Sequence, residues 1–255
     1  MLLEEVTTED AEEAFQSGKV AVLPIGSIEQ HGPALPLCTD IITAETVARG
    51  VSDRSDTVVL PTIPVGVSPH HIQFYGTLSV SDDTLKRYIE DVLKSVIEHG
   101  IEKFIIINGH GGNMNAIESV AQEFYRAESA FVIPWNWWDG ISTPPTELFD
   151  DDVKIPGHAG AVEGSMIANI SPQLIDESKL NKAVETKGDR SRFDHPDFRG
   201  FDLADFTDNG VHGDPRRTSA EAGKILCEES IMSLENLIDW LVDLPDEKCV
   251  PLPHK

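Results

Sequence analysis

Short apolar runs alternate with longer amphipathic segments along most of the chain. The apolar runs are Val20–Ile25 and residues 58–65, 104–107 and 130–134. Runs of four to eight apolar residues, bounded by polar residues, glycine or proline, are typical of strands that are buried on both faces of a parallel sheet. The second run contains two prolines, so we expect that strand to lie at the sheet edge or to end early.

Amphipathic segments between these runs predict helices. The clearest lies between Ser81, which offers an N-cap, and Gly100, because its apolar side chains recur at i, i+3, i+4 and i+7. Further helices are predicted at residues 11–16, 41–49 and 114–126. Another follows a turn near residue 158 and runs to about residue 170, and the last extends from about residue 220 to 241. The alternation of strands and helices predicts one α/β domain built around a parallel sheet.

Polar residues that can bind a metal follow the first predicted strand. Glu29 and His31 lie in the next loop, and Asp40 lies nine residues further on, at or near the start of a predicted helix. If the loop is extended, the i, i+2 spacing points Glu29 and His31 to the same side. Two carboxylates and an imidazole suit zinc or manganese. The alternative is a surface Glu29, an ordinary polar His31 and an N-capping Asp40, although capping is compatible with ligation.

Two later motifs carry histidines of the same kind. The third apolar run leads into Asn108-Gly109-His110-Gly111-Gly112-Asn113 and then a helix, which is the crossover pattern of a parallel sheet. The glycines let the backbone turn tightly around His110, and the turn matches neither common phosphate-binding pattern. Further along, His158 and Glu163 lie at a turn and in the first turns of a helix, so both can face one pocket.

Three tryptophans and one loop offer contacts for a substrate. Trp135, Trp137 and Trp138 follow the fourth apolar run, and they either fill the core or form a wall of the pocket. The loop after the second run carries Ser68 and His71.

Acidic residues dominate the charge of the chain. Its 44 acidic and 20 basic residues give a formal net charge of −24, and the acids are dispersed. This charge argues against a protein that binds nucleic-acid phosphates. We expect a halophilic cytoplasm, where molar salt screens the self-repulsion. No run is long enough to span a membrane, no signal peptide is recognisable, and the three scattered cysteines are expected to be reduced, so a soluble cytoplasmic enzyme is predicted.

The length of 255 residues favours a single domain over residues 1–255, with its core at about 20–241 and a peripheral tail at 245–255. Residues 179–215 show no sustained period. They form either a long functional loop or an interaction segment.

Taken together, the motifs resemble the creatininase family of metal-dependent amidohydrolases. The resemblance lies in residues 24–32, 35–40, 76–78, 108–113, 158–165 and 210–223, in this order. It implies a three-layer αβα sandwich around a mainly parallel sheet and a homo-oligomer, often a hexamer. It also implies a small-molecule substrate, with no nucleic-acid or membrane partner.

The same resemblance implies a site with two divalent metal ions, zinc, manganese or iron. Glu29, His31, Asp40 and His110 match the ligand positions of the family, with Asp40 as the bridge, and His158 matches its catalytic histidine.

The chain also departs from the creatinine-cleaving members, which carry a glutamate ligand where this chain has Gly112. Either Glu163 or solvent would have to fill this ligand position. Glu163 is the candidate replacement and a second candidate catalytic residue. Ala161 stands where many relatives carry an acid, and residues 151–155 lack the tryptophan that closes over creatinine. The candidate substrate contacts are Ser68, His71, Gly111, Trp135 and Trp137.

The expected reaction is hydrolysis of a non-peptide C–N bond in a small cyclic amide or formamide. Two divalent ions would lower the pKa of a bridging water and stabilise the oxyanion, and His158 would move the proton to the leaving nitrogen. By analogy within the family, the favoured substrate is a formylaminopyrimidine nucleotide of flavin and deazaflavin biosynthesis. The alternatives are creatinine, a peptide cleaved in peptide-cofactor maturation, and a non-catalytic binding module on the same scaffold.

Overall fold

A computed structural model of the chain describes residues 1–149, 157–184 and 201–252. Within these residues, one sheet contains β1 (Val20–Ile25), β2 (Thr57–Val59), β3 (Lys103–Asn108) and β4 (Phe131–Asn136). The strands lie in the order β2-β1-β3-β4, and every neighbouring pair is parallel. The parallel sheet is therefore confirmed, with the proline-containing run at its edge.

Helices connect the strands and cover both faces of the sheet. They are α1 (Thr8–Ser17), α2 (Thr39–Arg49), α3 (Asp82–Ile97), α4 (Met114–Arg126), α5 (Pro145–Phe149), α6 (Ala161–Ile170) and α7 (Ala220–Asp243). The predicted start of α3 is correct, because the side chain of Ser81 accepts a hydrogen bond from the Thr84 N–H. Such a cap contributes about 1 kcal/mol.

Side chains of the central strands alternate between two apolar layers. Leu23 and Ile106 point to the face covered by α1, α3 and α4, whereas Val22 and Ile105 point to the face covered by α2, α6 and α7. All four are fully buried, and each such burial contributes about 2 kcal/mol. The two helical layers around one sheet confirm the α/β three-layer sandwich as a single domain.

Several element boundaries differ from the prediction, among them those of β2, α2 and β4. β2 ends at Val59, because the prolines at 61 and 64 prevent a regular ladder, and only Ile63 forms a further bridge to Ile25. α2 begins two residues early, with Cys38 as its N-cap, so Asp40 lies inside the first turn. β4 extends to Asn136, and a short 3-10 helix over Trp137–Gly140 follows it.

The C-terminal tail contacts the body of the protein in its described part. Tyr125 donates a hydrogen bond to the Val250 carbonyl, and Lys103 pairs with Asp246. Of the segment 179–215, residues 185–200 lie outside the described residues, as do residues 151–155. None of the helices in the described part of the chain is both long and apolar enough to cross a membrane.

Candidate metal centre

The predicted ligands meet where β1 and β3 end. Glu29 and His31 lie in the loop after β1, His110 lies in the loop after β3, and Asp40 lies in the first turn of α2. Because neighbouring parallel strands end at the same edge of a sheet, the two loops face each other. α6 adds Glu163 from its own first turn.

The first donor group consists of Glu29, Asp40 and His110, which are all buried. The His110 Nδ1 atom lies 2.9 Å from Glu29 Oε2 and 3.4 Å from Asp40 Oδ2. His110 Nε2 lies 3.1 Å from the Val67 carbonyl, to which it donates. This hydrogen bond orients the ring so that Nδ1 faces the carboxylates, an arrangement typical of histidine ligands.

The second donor group consists of His31, Asp40 and Glu163 and is also buried. His31 Nε2 lies 3.2 Å from Asp40 Oδ1 and 3.8 Å from Glu163 Oε2. His31 Nδ1 is 3.2 Å from the Glu29 carbonyl, to which it donates, so Nε2 is the nitrogen left for a ligand. In both groups, a backbone carbonyl sets the orientation of the imidazole.

Buried polar atoms without partners show that these residues fit a cation. Among the described residues, Glu29 Oε1, His31 Nε2 and Asp40 Oδ2 are buried and make no hydrogen bond. An unsatisfied buried polar atom costs about 1–3 kcal/mol of stability. Three such atoms in one cluster therefore indicate a site where a bound ligand would satisfy them. Carboxylate oxygens and imidazole nitrogens are donors that zinc and manganese accept.

The charges of the centre also fit a cation. Burial favours the neutral form of His31 and His110, but the neighbouring carboxylates outweigh it and raise the pKa of each to about 10. Burial, together with Asp40, raises the pKa of Glu163 to about 7, even though His31 opposes this shift. A divalent ion would replace the protons and stabilise all the carboxylates in their charged form.

A cavity of about 230 Å³ opens next to both donor groups. It is lined by Glu29, Asp40, His70, His71, Gly109, His110, Gly111, Gly112, Trp138, Gly157, His158, Glu163, Leu203 and His212. A larger groove of about 610 Å³ lies between α1 and α3, but it contains no member of either donor group. The cavity at the donor groups is therefore the candidate site.

His158 and His71 line the cavity outside the two donor groups, and both lie close to Glu29. His158 Nδ1 lies 3.7 Å from Glu29 Oε1, and His71 Nε2 lies 3.4 Å from the same oxygen. Burial, together with His31, lowers the pKa of His158 to about 3. Burial also lowers the pKa of His71, to about 2, despite the nearby Glu29. Both rings are therefore neutral.

The glycines around His110 permit close approach. The sequence predicts a tight turn around His110. Neither Gly109 nor Gly112 has a positive φ, so the missing side chain matters there for space and not for backbone conformation. A Cβ atom at Gly109 would lie 2.3 Å from the Asp40 carbonyl oxygen, and one at Gly112 would lie 2.2 Å from the Val67 carbonyl oxygen. A side chain at either position would push apart the loops that carry the donors.

Three of the predicted substrate contacts lie away from the cavity wall. Ser68 is fully buried and donates a 2.6 Å hydrogen bond to Glu29 Oε2. It therefore orients the candidate metal ligand Glu29 and does not contact the cavity. Trp135 and Trp137 pack in the core against α7, because β4 continues to Asn136 and the 3-10 turn directs Trp137 inward. Trp138 lines the cavity in their place.

Gly111 and His71 do line the cavity, together with residues that sequence reasoning missed. His70 stacks on the ring of His110 with centroids 5.3 Å apart. His212 reaches the site because its backbone pairs with that of His158 in an isolated antiparallel bridge. No local pattern indicates this pairing, although His212 lies within the signature at residues 210–223.

The chain is similar in sequence to proteins of known activity. The profile of the creatininase family, described as creatinine amidohydrolase, matches residues 4–238. A mycofactocin precursor peptide peptidase of Mycolicibacterium smegmatis is 29% identical over 221 residues, which cover 83% of this chain and 81% of that protein. A 2-amino-5-formylamino-6-ribosylaminopyrimidin-4(3H)-one 5'-monophosphate deformylase of Methanobrevibacter smithii is 28% identical over 245 residues, which cover 88% of this chain and 92% of that protein.

Solved structures of creatininases share the fold. A manganese creatininase superposes with a TM-score of 0.79 at 22% identity and covers 95% of this chain and 99% of that one. A mutant creatininase of the Zn-Zn type gives the same TM-score and identity and covers 95% of this chain and 98% of that one. Because the family profile matches residues 4–238, the chain belongs to the creatininase family, and it is a hydrolase that acts on carbon–nitrogen bonds.

Proposed function

We propose that the chain is a two-metal amidohydrolase whose ions share Asp40. One ion would be held by Glu29, Asp40 and His110, and the other by His31, Asp40 and Glu163. The observation that carries this proposal is the direction of the Asp40 carboxylate, whose Oδ1 faces His31 and whose Oδ2 faces His110. A carboxylate placed in this way can bridge two ions, whereas the N-cap of α2 is Cys38 and leaves Asp40 free for this role.

Zinc, manganese or iron fits the nitrogen and oxygen donors of this centre. Divalent ions of this kind supply a Lewis acid that polarises a carbonyl and lowers the pKa of water toward neutrality. Glu163 takes the place of the carboxylate that is missing at Gly112. Its carboxylate also accepts a hydrogen bond from the Ala159 N–H, which holds it toward His31.

His158 is the proton-transfer group of the proposed reaction. Its ring is neutral, and its Nδ1 faces Glu29 and the cavity. A neutral imidazole takes a proton from the attacking water and returns it to the leaving nitrogen. His71 and Gly111 line the same cavity, whose volume of about 230 Å³ suits a small reacting group such as a formyl or a ring amide.

The favoured substrate is a formylaminopyrimidine nucleotide, which would release formate. The deformylase of Methanobrevibacter smithii, aligned over 88% of this chain, supports this choice, and Gly112 argues against creatinine. We further propose a cytoplasmic homo-oligomer, a hexamer by resemblance, that acts on a small molecule and binds neither nucleic acid nor membranes. The strong negative charge supports the absence of nucleic-acid binding, because it repels phosphate backbones.

Product analysis tests the proposal. The purified chain, loaded with zinc or manganese, is incubated separately with the formylaminopyrimidine nucleotide, creatinine and a precursor-type peptide, and formate, creatine and released dipeptide are measured. Formate release that disappears in Asp40→Asn and persists in Asp83→Asn supports the deformylase. Asp83 is the matched control because it occupies the same second position of α3 on an exposed site. Dipeptide release instead would identify a peptidase, and no product with no bound metal would favour a binding module.

A further inference from the structure

The side chain of Gln30 lies between the two neutral imidazoles of the cavity. Gln30 is buried, and its Nε2 atom lies 2.9 Å from His71 Nδ1, 2.8 Å from His158 Nε2 and 3.0 Å from the Gly210 carbonyl oxygen. Its Oε1 atom accepts a 2.9 Å hydrogen bond from the Gly32 N–H. The side chain therefore touches both rings and two separate backbone segments.

The backbone of Gln30 is held as firmly as its side chain. Its N–H donates a 3.1 Å hydrogen bond to Thr77 Oγ1, and its carbonyl oxygen lies 2.8 Å from His158 Nε2. A carbonyl accepts only, so this short contact is a hydrogen bond when His158 Nε2 carries the proton.

One assignment of protons gives every polar group of Gln30 a hydrogen-bond partner, and it leaves the 2.8 Å contact between Gln30 Nε2 and His158 Nε2 as two adjacent donors with no hydrogen bond between them. In it, His158 Nε2–H donates to the Gln30 carbonyl, and the two amide hydrogens go to His71 Nδ1 and the Gly210 carbonyl. If His158 Nε2 were instead an acceptor, the amide would face three acceptors with two hydrogens, and the buried carbonyl would lose this partner. The first assignment is therefore the favourable one.

This assignment gives the two rings opposite roles at the cavity. His71 accepts at Nδ1, so its hydrogen lies on Nε2, the atom 3.4 Å from Glu29 Oε1. His158 donates at Nε2, so its lone pair lies on Nδ1, 3.7 Å from the same oxygen. The cavity thus receives an N–H from one ring and a lone pair from the other.

We propose that Gln30 is a positioning residue, which orients His71 as a hydrogen-bond donor and His158 as a proton acceptor toward the same reacting group. The expected effect of Gln30 on turnover rests on the proposed function, whereas the orientation of the two rings does not. A donor beside an acceptor matches amide hydrolysis, where a carbonyl oxygen gains negative charge while a proton is moved.

Long-range proton–nitrogen correlation spectra of the zinc-loaded enzyme test the orientation directly. We expect His71 and His158 in the wild type both to show a protonated Nε2 and an unprotonated Nδ1. Gln30→Glu, whose carboxylate only accepts, should move the His71 proton to Nδ1, and Gln30→Met, which neither donates nor accepts, should leave His71 as a mixture. Gln122→Glu on the exposed side of α4 introduces the same charge elsewhere and should change neither ring.

The activity measurement separates this inference from the proposed function. With the substrate that the enzyme turns over, both Gln30 variants should keep their bound zinc, lose on the order of tenfold or more in kcat, and change KM less. A wild-type His71 with its proton on Nδ1 would overturn the inference, and this result does not depend on whether a variant folds. Folded variants with unchanged tautomers would also overturn it. An inactive wild type with the expected tautomers would contradict the proposed function alone.

Discussion

The two donor groups of the centre differ in how firmly the protein holds them, although they share Asp40. In the first group, Ser68 donates to Glu29, and the carboxylate lies 2.9 Å from His110. In the second, Glu163 lies 3.8 Å from His31, and burial keeps the pKa of Glu163 at about 7. The first group is therefore preorganised as a charged site, whereas the second would need a cation to compensate the buried Glu163 carboxylate.

This difference predicts an order of affinity. Two ligands of the first group, Glu29 and His110, lie in the loops directly after the central strands β1 and β3. The second group depends on α6, which begins after Ala159, a non-glycine residue with a φ of 52°. We expect the first group to bind its ion more tightly than the second.

Asp40→Asn should have the largest effect, because it removes the carboxylate that both groups share. We expect the variant to lose both ions and to fall in turnover by roughly 1,000-fold or more. Elemental analysis and the product assay measure this. Retention of one full equivalent of metal would contradict the shared role of Asp40.

His158→Ala should reduce turnover on the order of 100-fold or more and leave the metal content unchanged. In this variant, the difference in metal affinity between the two donor groups should remain, because His158 belongs to neither of them. Elemental analysis of the purified variant next to His99→Ala, an exposed control, checks this. Loss of an ion in His158→Ala alone would make His158 a ligand together with Glu29 and His31, a combination that the distances permit.

Ser68→Ala tests the preorganisation of the first group alone. Removing the hydroxyl takes away the hydrogen bond to Glu29 Oε2, so the affinity of the first ion should fall by about 10-fold. Competition with a chelator measures the affinity of each ion. If the second ion weakened instead, the comparison of the two groups would be wrong.

Molar potassium chloride should raise the melting temperature and leave the ratio of the two metal affinities nearly unchanged. Salt screens the repulsion among the dispersed surface acids, but it screens buried charges much less. Thermal unfolding in dilute buffer and in molar salt measures the first effect. Equal melting temperatures would contradict the halophilic interpretation.

The hydrophobic pattern was sufficient to predict one α/β domain around a parallel sheet, whereas the three-layer sandwich was implied by the family resemblance. β1 and β3 form at continuous apolar runs, because both of their faces are buried, and α3 forms where apolar residues recur with the helix period. The ends were less predictable, because the extension of β4 to Asn136 depends on pairing with β3, from Lys103↔Phe131 to Asn108↔Asn136.

The candidate site was predictable only in part. Glu29, His31 and Asp40 are close in sequence, so their meeting follows from the loop after β1. The places of Trp138 and His212 depend on a 3-10 turn and on a backbone bridge to a distant segment. Such long-range contacts leave no periodic signal in the chain.

A zinc titration of the metal-free protein tests the central claim most directly. We expect the wild type to bind two equivalents, one tightly and one more weakly, because two donor groups of unequal preorganisation share Asp40. Glu163→Gln should keep the tight equivalent and weaken the second, whereas Glu221→Gln, an exposed glutamate in the first turn of α7, should match the wild type. A single equivalent in the wild type, or two unchanged equivalents in Glu163→Gln, would contradict the account.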